Sequence, residues 1–155
     1  MKDENFTVKE IELKLKKYCS YQDRCHIEVE NKLKNFNLIK EAKNQIIFNL
    51  INEDYLNETR FCENFVRGKF KIKNWGKIKI KMELKNRKIS NININQSLKQ
   101  IHEKEYLEKL DQIFEKKLTS LDGLSKDKKK KKIFSYLQYR GWETNLIYDK
   151  INKIY

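Results

Sequence analysis

No proline occurs anywhere in this 155-residue chain, and its glycines number four: Gly68, Gly76, Gly123 and Gly141. With so few breakers and so much lysine, glutamate, leucine and glutamine, the chain is expected to be helical throughout. Its length allows one domain with a real core, or several small units sharing an extended one. Charged residues make up 37 % and apolar residues 39 %, which is too apolar and too regular for a wholly disordered chain. No run of about 18 apolar residues is present, so a spanning helix is excluded. Met-Lys-Asp-Glu-Asn-Phe at the start lacks the apolar stretch of a signal peptide. A cytoplasmic location, away from membranes, is the expectation.

The chain repeats itself weakly. Leu33-Lys34-Asn35-Phe36-Asn37-Leu38 returns as Leu84-Lys85-Asn86-Arg87-Lys88-Ile89 and again as Leu137-Gln138-Tyr139-Arg140-Gly141-Trp142. Aligned apolar pairs follow each copy: Ile47 and Leu50, Leu98 and Ile101, Ile151 and Ile154. This order fits three copies of a helical unit, placed at about 7–54, 57–103 and 104–155. Chance repetition in a biased composition is the competing explanation.

Each unit reads as three helices. Thr7 with Glu10 three residues on has the capping-box pattern, and Val8, Ile11, Leu15 and Tyr18 keep helical spacing. Helices near 21–36 and 39–54 follow. Asn57 is the expected cap of the second unit, ahead of Phe61, Phe65 and Val66. Tyr106, Leu107, Leu110, Ile113, Phe114 and Leu118 open the third. Gly141 sits where a left-handed cap would end a helix. Asn37 holds the matching place and tolerates that geometry; Lys88 fits it less well. Over 77–95 the apolar residues Ile78, Ile80, Met82 and Leu84 alternate with charged ones, and periodicity alone leaves helix and strand equal. The longest non-helical stretch, Ser120 to Asp127, is the expected flexible hinge. Residues 54–57 and 71–75 are tight connections.

Catalytic constellations are missing from the sequence. Gly68 and Gly76 are isolated, and His26 and His102 form no metal-binding helical pair. No serine has the context of a nucleophile elbow. Acidic pairs such as Glu53-Asp54 read as solvated surface. Three cysteines, Cys19, Cys25 and Cys62, suggest reduced thiols. Cys25-His26 near Cys19 lacks zinc spacing and a fourth ligand, so buried structural thiols are expected. The chain is therefore expected to be no enzyme and to hold no metal or cofactor.

Positive charge is what stands out. From Arg67 to Lys88 there are ten basic residues against one acid, Glu83, within a net charge of +13. On a helix, Lys77, Lys81, Lys85 and Lys88 would line one stripe, where like charges repel. Lys126 and Lys128 to Lys132 form a second block. An anionic partner would relieve both, and nucleic acid is the obvious one, bound by salt-sensitive, sequence-blind counterion release. The alternative is a solvated face in a lysine-rich chain. Phe70, Trp75, Tyr136, Tyr139 and Trp142 interleave with these charges. They either stack on bases or fill helical cores, and the second is favoured.

Residues 52–89 carry a longer pattern. Leu56-Asn57-Glu58-Thr59-Arg60-Phe61 precedes Phe65-Val66-Arg67, followed by Gly76-Lys77-Ile78-Lys79-Ile80-Lys81-Met82-Glu83-Leu84 and, later, Phe134, Leu137 and Arg140-Gly141-Trp142. These pieces, in this order, resemble the bacterial regulatory protein RecX family, whose members modulate the RecA recombinase. The resemblance runs from about Val8 to Ile154. Asn57-Glu58 stands where the family more often has Asp-Asp, and Lys88 where it often has glycine. The resemblance implies an all-α fold of three tandem three-helix repeats forming an elongated, curved solenoid, and so favours helix over 77–95. It implies a protein that sits in the groove of the RecA–DNA filament and limits filament extension, ATP hydrolysis and strand exchange in DNA repair and the SOS response; a monomer is the separate expectation. Weak, salt-sensitive binding to single- or double-stranded DNA is expected beside it. Arg60 has a structural alternative, pairing with an acid such as Glu53 to hold units in register. The residues expected to face RecA or nucleic acid are Arg67, Lys69, Lys71, Lys73, Lys77, Lys81, Lys85, Lys88, Lys128, Lys129 and Lys132.

Overall fold

The computed structural model describes residues 5–154. Among these the chain forms nine helices and no strand. They are α1 (Val8–Tyr21), α2 (His26–Leu33), α3 (Lys40–Asn52), α4 (Glu58–Lys71), α5 (Lys77–Asn86), α6 (Asn91–Leu98), α7 (Glu103–Ser120), α8 (Lys126–Tyr139) and α9 (Thr144–Ile151). They pack in three successive groups of three: α1 with α2 and α3, α4 with α5 and α6, and α8 with α7 and α9.

Side-chain caps start several of them. The Thr7 hydroxyl accepts from the Glu10 N–H at 3.1 Å, and Asn57 Oδ1 accepts from the Arg60 N–H at 3.0 Å. Ser90 and Ser125 cap α6 and α8 in the same way. Each cap satisfies an N–H that the first turn would otherwise leave unpaired.

The sequence repeat is a repeat of buried positions. Leu33, Leu84 and Leu137 lie at or near the ends of α2, α5 and α8 and are fully buried. One turn earlier, Val29, Ile80 and Ile133 are equally buried. On the first helices, Ile11, Leu15 and Cys19 correspond to Cys62, Val66 and Phe70, all buried. Burial at this helical spacing supplies the packing energy, about 1.5–3 kcal/mol for each large apolar side chain.

The ambiguous segment 77–95 is helical. Two residues along a helix turn the side chain by about 200°, nearly as far as along a strand. Alternation therefore sends Ile80 and Leu84 inward, while Ile78 and Met82 point out, each 51 % exposed.

Several details differ from expectation. The region near 21–36 is not one helix: α1 runs on to Tyr21, and α2 begins only at His26. Arg24 fixes the break, stacking 3.7 Å from the Tyr18 ring and donating to the Tyr18 carbonyl. The supposed hinge at 120–127 is a short turn, since Ser120 ends α7 and Lys126 starts α8. Leu121 is buried within that turn and Leu124 packs on the same core, which pins it. Gly141 is left-handed, with φ 85°, but Asn37 is not, and Lys88 is, with φ 58°. The hydrogen bonds give the reason. Trp142 donates to the Leu137 carbonyl and Ile89 to the Leu84 carbonyl, closing identical turns that drop Trp142 and Ile89 into the core. At the first copy Leu38 instead donates to Phe36, and no such turn forms.

Two apolar cores result. One gathers α1 to α3 around Leu15, Leu33 and Leu50, with Leu56 closing it. The other runs without a break from α4 through α9, and takes in Cys25 from the start of α2. The second and third groups meet where two glycines touch. Cβ atoms added at Gly76 would fall 2.3 Å from the Gly141 carbonyl oxygen, and at Gly141 within 2.8 Å of the Lys79 backbone. This closeness lets the turn between α8 and α9 cap α5. The Gly76 N–H donates to the Arg140 carbonyl at 2.8 Å and the Ile78 N–H to the Gly141 carbonyl at 3.0 Å. The Lys77 N–H donates to the Tyr106 hydroxyl at 2.9 Å, which itself donates to the Glu143 carboxylate. Trp142 completes the joint, donating from Nε1 to the Asn74 carbonyl and stacking on Tyr106 with centroids 4.5 Å apart.

Candidate functional site

The basic run begins on α4. Lys69 and Lys71 fall in its last turn, where cations complement the helix dipole. Arg67, one turn earlier, is exposed and donates to Asn64 and Gln100. Lys69 lies over two rings, 5.4 Å from the Phe65 centroid and 4.8 Å from that of Trp75. Lys73 sits exposed in the connection to α5.

On α5 the stripe divides. Lys77 is partly covered, its ammonium 4.6 Å from the Tyr106 ring. Lys81 and Lys85 on α5 are exposed, as is Lys88, which lies not on the helix but in the left-handed turn beyond its end; none makes an ion pair among the described residues. Glu83 is spent on Arg87, at 3.1 Å. The exposed Ile78 and Met82 share this outer side, so it combines unneutralised charge with apolar surface. Such a mixture suits a protein groove that also carries anions.

The second block, on α8, is divided by burial rather than by helix face. Lys128 and Lys132 are exposed, and Lys129 is half-buried against Phe114, Leu118 and Ile154. Lys132 lines a cleft together with Lys117, Lys131, Tyr136 and Arg140. Lys79 reaches from α5 to the end of α8, its ammonium 4.7 Å from the Trp75 ring and 4.3 Å from that of Tyr139.

The residues expected from sequence to face a partner did not include Lys79, Lys117, Lys131 and Arg140, although Lys79 and Lys131 lie within the two basic blocks. Lys79 falls off the four-residue stripe, and Lys117 comes from a different helix. Arg140 was visible as part of a repeat, but its stacking on Tyr136 at 3.6 Å is a product of the fold. Among the aromatics, Phe70 and Trp142 are core, as favoured. Tyr139 is not: it is 74 % exposed.

The three thiols are free and buried. Burial pushes Cys25 and Cys62 up to about 11, far from a reactive thiolate. No group of three or more histidines, cysteines or carboxylates able to hold a metal occurs among the described residues. None of their helices is long and apolar enough to cross a membrane.

Residues 57–98 match the family model for the second three-helix domain of RecX, and residues 103–151 match that for the third. This chain belongs to the RecX family. The regulatory protein RecX of Oceanobacillus iheyensis is 27 % identical over 130 residues, covering 84 % of this chain and 48 % of the relative. RecX of Lactobacillus johnsonii is 27 % identical over 129 residues, covering 83 % and 48 %. The chain thus spans about half the length of the curated relatives it matches. The crystal structure of RecX from Lactobacillus salivarius superposes with a TM-score of 0.81 at 26 % identity, covering 94 % of this chain and 95 % of that one. A second RecX crystal structure, at 19 % identity, shares the fold with the same TM-score.

Within the RecX-like motif most residues are structural. Leu56, Phe61 and Val66 are core. Arg60 does hold groups in register, but not through Glu53, which pairs with Lys16. Arg60 Nε meets Asp23 at 2.8 Å and Nη1 meets Asp54 at 3.0 Å, while Nη2 donates to the Asp54 and Tyr55 carbonyls. Asp23 belongs to the turn before α2, so the guanidinium ties the first group to the second. Asn64 also donates to Asp23, and His26 lies 3.5 Å from Glu58 across the same seam. Arg67 faces solvent, as do Thr59, Ile78, Lys81 and Met82.

Proposed function

We propose that this chain is a regulator, acting as an inhibitor, of the RecA recombinase. Its three units, at about 7–54, 57–103 and 104–155, stack into an elongated, curved body that enters the groove of the RecA–DNA filament. There it limits filament extension, ATP hydrolysis and strand exchange. Membership of the RecX family carries this reading. The exposed side of α5 and the turn after it support it: Lys81, Lys85 and, past the helix end, Lys88 lack acidic partners among the described residues, and Ile78 and Met82 are exposed on the same helix. Lys81 and Lys85, one turn apart, repel each other on a free helix, and with Lys88 close by they become favourable beside phosphates or carboxylates.

The test is DNA-stimulated ATP hydrolysis by the cognate RecA, with the protein titrated in below stoichiometry. A fall at such ratios is the expected result, because one molecule bound in the groove acts on a whole filament. A fall only when the DNA is saturated would instead mark a general basic nucleic-acid-binding module. Replacing Lys81, Lys85 and Lys88 by glutamate is expected to abolish inhibition with helix content intact. Unchanged inhibition would reduce the stripe to a solvated face.

A further inference from the structure

Between α7 and α8 lies an open cleft of about 470 Å³. Its floor is Leu121 and the Tyr136 ring, and Tyr139 forms its lip. Lys117, Lys131, Lys132 and Arg140 surround it, and no carboxylate among the described residues lines it. Four cations around one apolar floor repel each other, so the cleft favours a polyanion that also has a flat apolar part.

The aromatic rings here are not equivalent. Tyr136 is taken on both counts, with Arg140 stacked at 3.6 Å and Lys117 at 4.6 Å. Trp75 is engaged by Lys69 and Lys79. These rings hold cations in place and have little surface to offer. Tyr139, the last residue of α8, is engaged among the described residues only by Lys79 and is 74 % exposed. A large ring at a helix end, mostly open, with one cation against it and others lining the same cleft, is what an unpaired nucleobase stacks on.

We infer that the α7–α8 cleft binds single-stranded nucleic acid, with one base stacked on Tyr139 and the flanking phosphates on Lys131, Lys132 and Arg140. Lys79 extends the track across the Gly76–Gly141 joint toward the α5 stripe. Duplex DNA keeps its bases within the stack, so it gains the charge contacts but not the ring. This goes beyond the recombinase reading, because it requires no RecA, and each stands without the other.

Fluorescence anisotropy of a labelled oligothymidylate and of a duplex of equal length, without RecA, tests it. Tyr139→Ala should weaken single-strand binding about tenfold, at the lower end of what base–aromatic stacking contributes, and leave duplex binding unchanged. Tyr139→Phe should restore single-strand binding. Neutralising Lys131 and Lys132 with glutamine should lower the salt slope on the single strand by about 1.4. Single-strand affinity unchanged in Tyr139→Ala, or equal losses on both DNAs, would overturn the inference. Circular dichroism of each variant guards against misfolding, which the exposure of Tyr139 makes improbable on packing grounds. RecA ATPase run in parallel separates the two readings. Intact inhibition with no Tyr139 effect sinks only the cleft, while a Tyr139 effect with no inhibition supports the cleft and sinks only the regulator.

Discussion

Gly76→Ala probes the joint between the second and third groups more cleanly than any change to a large side chain. The backbone at Gly76, φ −79° and ψ 170°, suits alanine as well as glycine, so no dihedral strain enters. Only the contact matters. The new methyl carbon would lie 2.3 Å from the Gly141 oxygen, 2.6 Å from its carbonyl carbon and 2.7 Å from the Trp142 Cα. All three are backbone atoms that cannot swing aside. Restoring ordinary contact moves α5 away from the α8–α9 turn by about 1 Å, which carries the Gly76–Arg140 and Ile78–Gly141 bonds past hydrogen-bonding distance. The Lys77–Tyr106 bond goes with them. Three bonds at about 1 kcal/mol each give a loss of about 3 kcal/mol. Reduced freedom of the unfolded chain returns about 0.5 kcal/mol, so the net loss is about 2.5 kcal/mol. Urea unfolding followed by circular dichroism reads this as a midpoint lower by roughly 1 M, for a slope of about 2 kcal/mol per molar. Gly68→Ala is the control. It lies inside α4 with nothing within 4 Å of an added Cβ, so it should raise stability by about 0.5–1 kcal/mol. A Gly76→Ala loss under about 0.5 kcal/mol, or shifts of the same sign at both glycines, would refute the account of the joint.

Two further outcomes are expected. A double-mutant cycle on Arg60→Met and Asp23→Asn should give a coupling of about 0.5–1 kcal/mol, modest because both side chains are partly solvated; zero coupling would remove the guanidinium tie between the first two groups. Tyr106→Phe should cost about 1–2 kcal/mol at neutral pH by stranding the Lys77 N–H. It should also flatten the alkaline limb of stability. Burial raises the Tyr106 hydroxyl well above its ordinary 10.0, so the unfolded chain ionises first, and the stabilisation, complete below pH 10, drains away above it. Urea midpoints measured across this range for both proteins check the sign, and parallel profiles would contradict it.

Much of the fold was legible because helical burial repeats. Val29, Ile80 and Ile133 and the leucines one turn on from them carry the same positions through three groups of helices, and Thr7 and Asn57 announce two of the caps by chemistry alone. The left-handed residue was misplaced because propensity favoured Asn37, while the burial of Ile89 decides the turn at Lys88, at a local cost of about 1–2 kcal/mol. The hinge was misplaced because Ser-Leu-Asp-Gly-Leu-Ser reads as loop composition, whereas Leu121 and Leu124 anchor it. The α5 stripe could be read from spacing. The α7–α8 cleft could not, because Lys117 and Arg140 meet over Tyr136 only once two helices have packed, and no local pattern encodes which ring stays uncovered.

The trans-capping of α5 also bears on how the chain is made. The first core closes with Leu56, so it can form soon after those residues leave the ribosome. The second core cannot follow at once. The Asn74 carbonyl waits for Trp142, 68 residues later, and the N–H groups of Gly76 and Ile78 wait for Arg140 and Gly141. Synthesis proceeds at about 5–20 residues per second, so α5 spends several seconds as a nascent helix with an open amino end and two outward apolar side chains. Slow codons or a stall between these positions would lengthen that interval and invite off-pathway association, whereas the same delay before residue 57 would be harmless.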